Sequence, residues 1–526
     1  MASVGERLIE GLAARGVEVV FGIPGVHTIE LYRGLAGSPI RHVTARHEGG
    51  AAFMADGYAR ASGKPGVAFV ITGPGLTNAL TAMGQSREDS IPVLVVSGVN
   101  RRASLGQGRG LLHELPDQQG MVRALCPTFQ VTAPEMLEPV LNQAFAAMLS
   151  ARPGPVHIEI PTDVMPLDCP PPQAAPQKVS PPLPREADIA RAAEFLNAAQ
   201  RPVILAGGGT RGAQAALAAI ARKLDAPVIQ TTNARGLMWG DPLSVAASPT
   251  LKSVRALLAD SDQVLALGTE FGQTDYDMYA VGGLPDLSGM IRVDVCPLQL
   301  GRWPAALPIH ADAGATMRAL VPHLARKSAD GAARAARTTE AALRELTHLA
   351  PKLARFRLSV EAMREGLPGA LIVGDSTQPI YAGNLAYDHD RPGGWFNAAT
   401  GFGALGYGPG AAVGAAFAAP GVPVICLVGD GGLQFSPGEL RTAVDEKLKI
   451  TFLVWNSESY QEIAEAMQEV QIKVIGCDPS ALKMEPFAAA CDMPFQSVPA
   501  IPDAITAALR APWGDGPRMI EVRVGN

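Results

Sequence analysis

Apolar residues along this chain fall in short continuous runs. Eleven stand out: VEVVFGIPG (17–25), GVAFVITGPG (66–75), PVLVVSG (92–98), PVHIEIP (155–161), RPVILAGGG (201–209), QVLALG (263–268), MIRVDV (290–295), ALIVGDS (370–376), VPVICLVGDGG (422–432), KITFLVWN (449–456) and MIEVRV (519–524). Gly-rich turns and stretches with helical apolar spacing follow them. A strand that is hydrophobic throughout is covered on both faces, and strands alternating with helices build parallel sheets. The pattern predicts the α/β class, with doubly wound parallel sheets.

Two seams interrupt the rhythm. DCPPPQAAPQKVSPPLPRE (168–186) is Pro-rich and predicts an extended linker. RKSADGAARAARTTEAALRE (326–345) is poor in apolar residues and predicts a helical or loose connection. Cutting there gives three α/β domains, 1–167, 185–327 and 350–526, each of ordinary domain size. The first and third share an order of strand, Gly turn and helix.

Composition narrows the classes. With 47% hydrophobic and 18% charged residues, the chain can bury large cores. A net charge of −6 without a long basic run argues against nucleic acid as a partner. No apolar run reaches the length of a membrane span, and MASVGERLIEGLAARG lacks a signal-peptide core. The six cysteines are scattered without CxxC spacing, which fits reduced core residues of a cytoplasmic protein.

The densest chemical signal is VGDGGLQFSPGELRTAVDEKLKITFLVWNSESYQEI (428–463). Asp430 ends a buried strand, where α/β folds bind ligands. Its flanking glycines let a diphosphate approach the backbone. A second oxygen ligand from the next strand end would complete a hard-cation site, with magnesium held by one carboxylate plus phosphate oxygens. A bare GDG is more often only a tight turn, but the whole strand–turn–helix–strand–Asn unit is more specific. In VTARHEGGAAFMADGYAR (43–60), an extended apolar segment leads to Glu48 at a helix start. Alone, that carboxylate reads as a helix-dipole charge. AGGGTRG (206–212) fits G-x-G-x-x-G through Gly207, Gly209 and Gly212. However, the next strand, APVIQTTN (226–233), ends without an acidic residue for a ribose. This domain is therefore read as structural, with an NAD-dependent oxidoreductase as the rival from another class.

Gly429-Asp430-Gly431 followed by Asn456-Ser457 resembles the signature of the thiamine diphosphate enzymes of the acetohydroxyacid synthase and 2-oxoacid decarboxylase type. The resemblance covers nearly the whole chain. It implies a pyrimidine domain, a central Rossmann-like domain and a diphosphate domain, with thiamine diphosphate and Mg²⁺ as cofactors. Metal ligands would be Asp430, Ser457 and the Ser459 carbonyl, with Asn456 or water as the alternative to Ser457; the family has asparagine where this chain has Ser457. Gln378, Gly429, Gly431, Gly432, Tyr460 and Gln461 would surround the diphosphate. Gly403 and Leu405 would hold the cofactor bent, and Pro74 and Asn78 would lie on its pyrimidine side. Glu48 takes the position of the glutamate that bonds the pyrimidine N1′, so that the cofactor's own nitrogen can remove the C2 proton. FAD is not expected, because GDPLSVAASPTLKS (240–253) lacks the segment that FAD-using members carry.

His113 replaces the active-site Gln of acetohydroxyacid synthases in GLLHELPDQQGMV (110–122), where Gln118 is a further catalytic candidate. FGIPGVHTIELYRGL (21–35) and LHELPDQ are most similar to a bacterial branch acting on 5-guanidino-2-oxopentanoate. Glu114, Glu458 and Glu462 would suit a guanidinium, although solvated surface charges fit the same residues. The expected activity is non-oxidative decarboxylation of a small-molecule 2-oxo acid, with an acetolactate-forming carboligase as the near rival. In this family the site lies between two chains, which implies at least a homodimer and often a homotetramer. His47 is expected only to pack or hydrogen-bond.

Overall fold

The computed structural model describes residues 2–278 and 282–525. Three six-stranded, wholly parallel sheets follow one another along the chain. The first holds β1 (Val19–Gly22), β2 (Arg41–Thr44), β3 (Gly66–Val70), β4 (Val93–Val99), β5 (Thr128–Gln130) and β6 (Pro155–Pro161), in the order β2-β1-β3-β4-β6-β5. The second holds β7 (Pro202–Ala206), β8 (Val228–Gln230), β9 (Ser244–Val245), β10 (Gln263–Leu267), β11 (Ile291–Asp294) and β12 (Leu307–His310), in the order β12-β11-β10-β7-β8-β9. The third holds β13 (Leu371–Gly374), β14 (Trp395–Asn397), β15 (Val424–Gly429), β16 (Ile450–Asn456), β17 (Phe495–Pro499) and β18 (Arg518–Arg523), in the order β14-β13-β15-β16-β18-β17.

The first and third sheets thus have the same topology. The middle one has the doubly wound dinucleotide-fold order, with β8 and β9 on one side of its first strand β7 and β10, β11 and β12 on the other. Each sheet has a switch point between two central strands: β1 and β3, β7 and β10, β13 and β15.

The first and third domains share a core. The helix Glu48–Ser62 starts at His47, whose ring Nδ1 accepts from the Gly49 N–H at 3.0 Å, and ends at the left-handed Gly63. It lies against the helix Tyr407–Ala418 with almost no space between the backbones. A Cβ at Gly57 would come within 2.0 Å of the Ala411 carbonyl oxygen, and one at Gly414 within 1.9 Å of that of Met54. One apolar cluster accordingly joins Phe21, Val43 and Met54 to Val373, Cys426 and Phe452. The middle sheet packs around its own residues, among them Ile204, Leu265 and Val293. The Pro-rich seam forms neither helix nor strand from residue 170 to 185, and the second seam is the helix Gly331–Leu349. Among the described residues, no helix is long and apolar enough to cross a membrane.

Candidate active site

A cavity of about 540 Å³ opens at the carboxyl ends of β13, β15 and β16. Its lining includes Gln378, Gly403, Leu405, Gly429, Asp430, Gly431, Gly432, Ser457, Ser459, Tyr460 and Gln461. Asp430 is buried and its Oδ1 accepts from the Ser457 N–H at 3.2 Å. Burial pushes its carboxyl pKa up, and the Ser457 amide holds it back. No ion pair compensates Asp430 among the described residues, so a cation beside it would relieve a buried charge. The Ser457 hydroxyl donates to the Ser459 carbonyl at 3.1 Å, and both residues line the same cavity as Asp430. No cluster of three or more acidic, His or Cys side chains suits a metal among the described residues. A metal at Asp430 would therefore rest on one carboxylate, neutral oxygens and a phosphate, a donor set that suits Mg²⁺.

Asn456 does not join this set. Its Nδ2 donates to Glu521 Oε1 at 2.7 Å and its Oδ1 accepts from the Glu458 N–H at 3.1 Å. Successive residues of a strand point to opposite faces, and only the serine reaches the cavity. A Cβ at Gly431 would lie 2.5 Å from the Tyr460 ring, so a side chain there would push the ring aside. Leu405 is partly exposed in the cavity, next to the left-handed Gly403 (φ +74°).

Among the described residues, the cavity lining has two carboxylates, Asp430 and Glu462, and no Lys, Arg or His. Gln378 Nε2 donates to Glu462 Oε2 at 3.2 Å. Surrounding protein raises the pKa of Glu462, although its side chain reaches solvent at the cavity mouth. Glu114 is elsewhere and committed: its carboxylate accepts from the Arg109 and Leu111 N–H groups at 3.1 and 2.9 Å, closing its own loop. Glu458 is exposed and outside the lining. The middle domain is more than structural support, because Gln273, Thr274 and Met278 line the same cavity.

The other candidates gather on the first sheet. Glu48 follows β2 as the first residue of its helix, half-buried, and accepts from Asn78 Nδ2 at 2.9 Å. Pro74 begins the helix Pro74–Glu88, which presents Asn78 one turn later. None of Glu48, Pro74, Asn78 and His113 lines the cavity around Asp430. His113 sits in a left-handed loop conformation (φ +60°), its ring edge-on to His27 with centroids 5.4 Å apart. His27 was not anticipated as a site residue. It follows the turn after β1, and its Nδ1 is buried with no hydrogen-bond partner among the described residues. Burial and the neighbouring His113 lower its pKa. The signal was a histidine just past a strand-ending FGIPG turn.

Gln118 is buried and saturated. Its Oε1 accepts from the Gly73 N–H at 2.9 Å, and its Nε2 donates to Gly98 O at 3.0 Å and Glu159 Oε2 at 2.8 Å. It pins the turn from which the Pro74 helix starts, so it acts on the site through the backbone. The AGGGTRG turn is packed shut: a Cβ at Gly207 would lie 2.2 Å from the Gly268 carbonyl oxygen. The cavity beside it holds only about 190 Å³, below the roughly 300–1,000 Å³ of ordinary ligand pockets.

Three family models of the thiamine pyrophosphate enzymes match the chain in sequence. They are the N-terminal TPP binding domain (residues 2–121), the central domain (189–320) and the C-terminal TPP binding domain (375–522). The chain is 42% identical over 485 residues to the probable 2-ketoarginine decarboxylase AruI of Pseudomonas aeruginosa, covering 91% of this chain and 86% of that one. It is 32% identical to the acetolactate synthase isozyme 1 large subunit of Escherichia coli, covering 86% and 81%. Against the probable acetolactate synthase large subunit of Methanocaldococcus jannaschii the identity is 30%, covering 86% and 80%.

Proposed function

The chain belongs to the thiamine pyrophosphate enzyme family, and from that premise we propose that it decarboxylates a 2-oxo acid whose far end carries a cation, with 2-ketoarginine as the leading substrate. The observation that carries the substrate reading is the cavity lined by Asp430 and Glu462 with no basic side chain. One carboxylate is used by the metal, and the other is left for a guanidinium, which pairs with carboxylates in two-point fashion. The AruI relative supports the same reading.

Asp430, Ser457 and the Ser459 carbonyl would hold Mg²⁺, and Gln378, Gly431 and Tyr460 would enclose the diphosphate. Leu405 and Gly403 would support the two rings. When bound, thiamine diphosphate supplies the carbon that attacks the oxo group and takes up the electron pair left by CO₂. Glu48 would share a proton with the pyrimidine N1′, held in orientation by Asn78. His27 and His113, paired ring to ring, would exchange protons with the substrate oxygens.

Glu48 and Asn78 lie outside the cavity that Asp430 lines, which supports a site completed by a second chain and hence a homodimer at least, assembled further as a homotetramer. Six unpaired cysteines, five of them buried, support a cytoplasmic location. The acetolactate synthase relatives favour a second reading, carboligation of two oxo acids. A turnover screen over guanidino, branched, aromatic and acidic 2-oxo acids and pyruvate tests both, with and without thiamine diphosphate and Mg²⁺. Aldehyde from the guanidino acid is the expected result. Acetolactate from pyruvate, with no guanidino turnover, would replace it with the carboligase.

A further inference from the structure

Glu439 opens the helix Glu439–Asp445 of the third domain and is fully buried. It forms no ion pair among the described residues. Its carboxylate crosses into the first domain instead. Oε1 accepts from the Arg46 N–H at 3.1 Å and the His47 N–H at 3.0 Å; Oε2 lies 3.2 Å from the Arg46 N and accepts from the Thr442 hydroxyl at 2.9 Å. The next residue along the chain is Glu48. Gly50 leaves the room: a Cβ there would lie 2.1 Å from Glu439 Oε1. Ion pairs Arg46–Asp445 and Arg41–Glu446 flank the contact.

Two consecutive backbone N–H groups just ahead of a helix have no partner within it, and the buried Glu439 carboxylate in turn needs donors, so losing these bonds is costly on both sides. A carboxylate satisfies both at once and also sits favourably at the helix's positive end. We infer that Glu439 is the positioning residue for Glu48: from the third domain it fixes the strand-to-helix junction that aims the Glu48 side chain. The inference rests on the role proposed for Glu48. A mere staple between domains would affect global stability; a positioning residue sets local order at the junction and the proton transfer that depends on it.

The test compares Glu439→Ala, Glu439→Gln and Glu48→Gln in the full-length protein. Glu439→Gln keeps an acceptor oxygen for both N–H groups and turns its amine toward the Thr442 hydroxyl. Hydrogen exchange of the cofactor-free chain should be about tenfold faster or more at Arg46 and His47 in Glu439→Ala, the scale of a lost hydrogen bond to a charged group. It should stay near wild type in Glu439→Gln and Glu48→Gln. In the loaded protein, C2-proton exchange of thiamine diphosphate should fall about tenfold in Glu439→Ala and recover in Glu439→Gln, with cofactor affinity within about threefold. If Glu439→Ala does not accumulate folded, Gly50→Ala serves, since it pushes the carboxylate off the same amides. Unchanged exchange at Arg46 and His47 overturns the inference, as does C2 exchange that stays normal in Glu439→Ala while Glu48→Gln abolishes it. Normal C2 exchange in Glu48→Gln would instead sink the role of Glu48, and the amide exchange would still decide whether Glu439 fixes the junction.

Discussion

The first and third sheets have the same strand order, yet their carboxyl ends carry opposite equipment. The third ends in glycine turns around a cavity with a buried aspartate, built to let a phosphate-bearing ligand reach the backbone. On the first sheet, Glu48 lies outside that cavity. That sheet presents a carboxylate bonded to Asn78, and beyond it a pair of imidazoles. On the function proposed above, the same topology would serve binding in one copy and proton handling in the other. The physical difference lies in the residues just past the strand end. Gly-Asp-Gly-Gly removes side chains where a ligand must approach, whereas Arg-His-Glu at a helix start aims one carboxylate outward.

Breaking each half separately should give different kinetic signatures. The largest effect is expected from Glu48→Gln, which should lower kcat by about 10²- to 10⁴-fold, the usual worth of a positioned proton-transfer group. Titration of the same variant should find thiamine diphosphate affinity nearly unchanged. Asp430→Ala should act in the opposite sense, weakening cofactor and Mg²⁺ binding by about 30-fold or more, the scale for deleting a buried charge partner. Saturating cofactor should restore much of its rate. The smallest change is expected from Glu462→Gln. A lost charge-assisted hydrogen bond is worth about 1.5–3 kcal/mol, so kcat/KM for the guanidino acid should fall about 10- to 150-fold. A neutral 2-oxo acid of the same length should be little affected. Equal losses on both substrates would remove Glu462 from cation recognition.

How far the sequence alone carries depends on burial. Every one of the eleven continuous apolar runs contains a strand, because central parallel strands are covered on both faces. The strands that escape are β5, β9, β12, β14 and β17, and only the tail of β2 is foreshadowed. All six are sheet edges. Most are short and half-covered, like β12 with every second residue exposed, so their apolar runs are broken. At the site, Asp430 and its glycines stood out because a helix, a second buried strand and Asn456-Ser457 follow the turn, and they do line the cavity. The orientation of Asn456 was not, since a strand register decides which neighbour faces the cavity. His27 and Glu439 were hidden for another reason: their partners, His113 and Arg46–His47, are distant along the chain and meet them only in the fold.

The most direct test of the division between the two sheets mixes chains that each lack one half. Glu48→Gln and Asp430→Ala protomers, each nearly inactive alone at limiting cofactor, are unfolded, combined in equal amounts and refolded. If one chain's first sheet serves the other's third, random pairing leaves one intact site in half of the dimers, restoring roughly a quarter of wild-type activity. If both halves of a site belong to one chain, every site keeps a defect and the mixture stays as inactive as its parts.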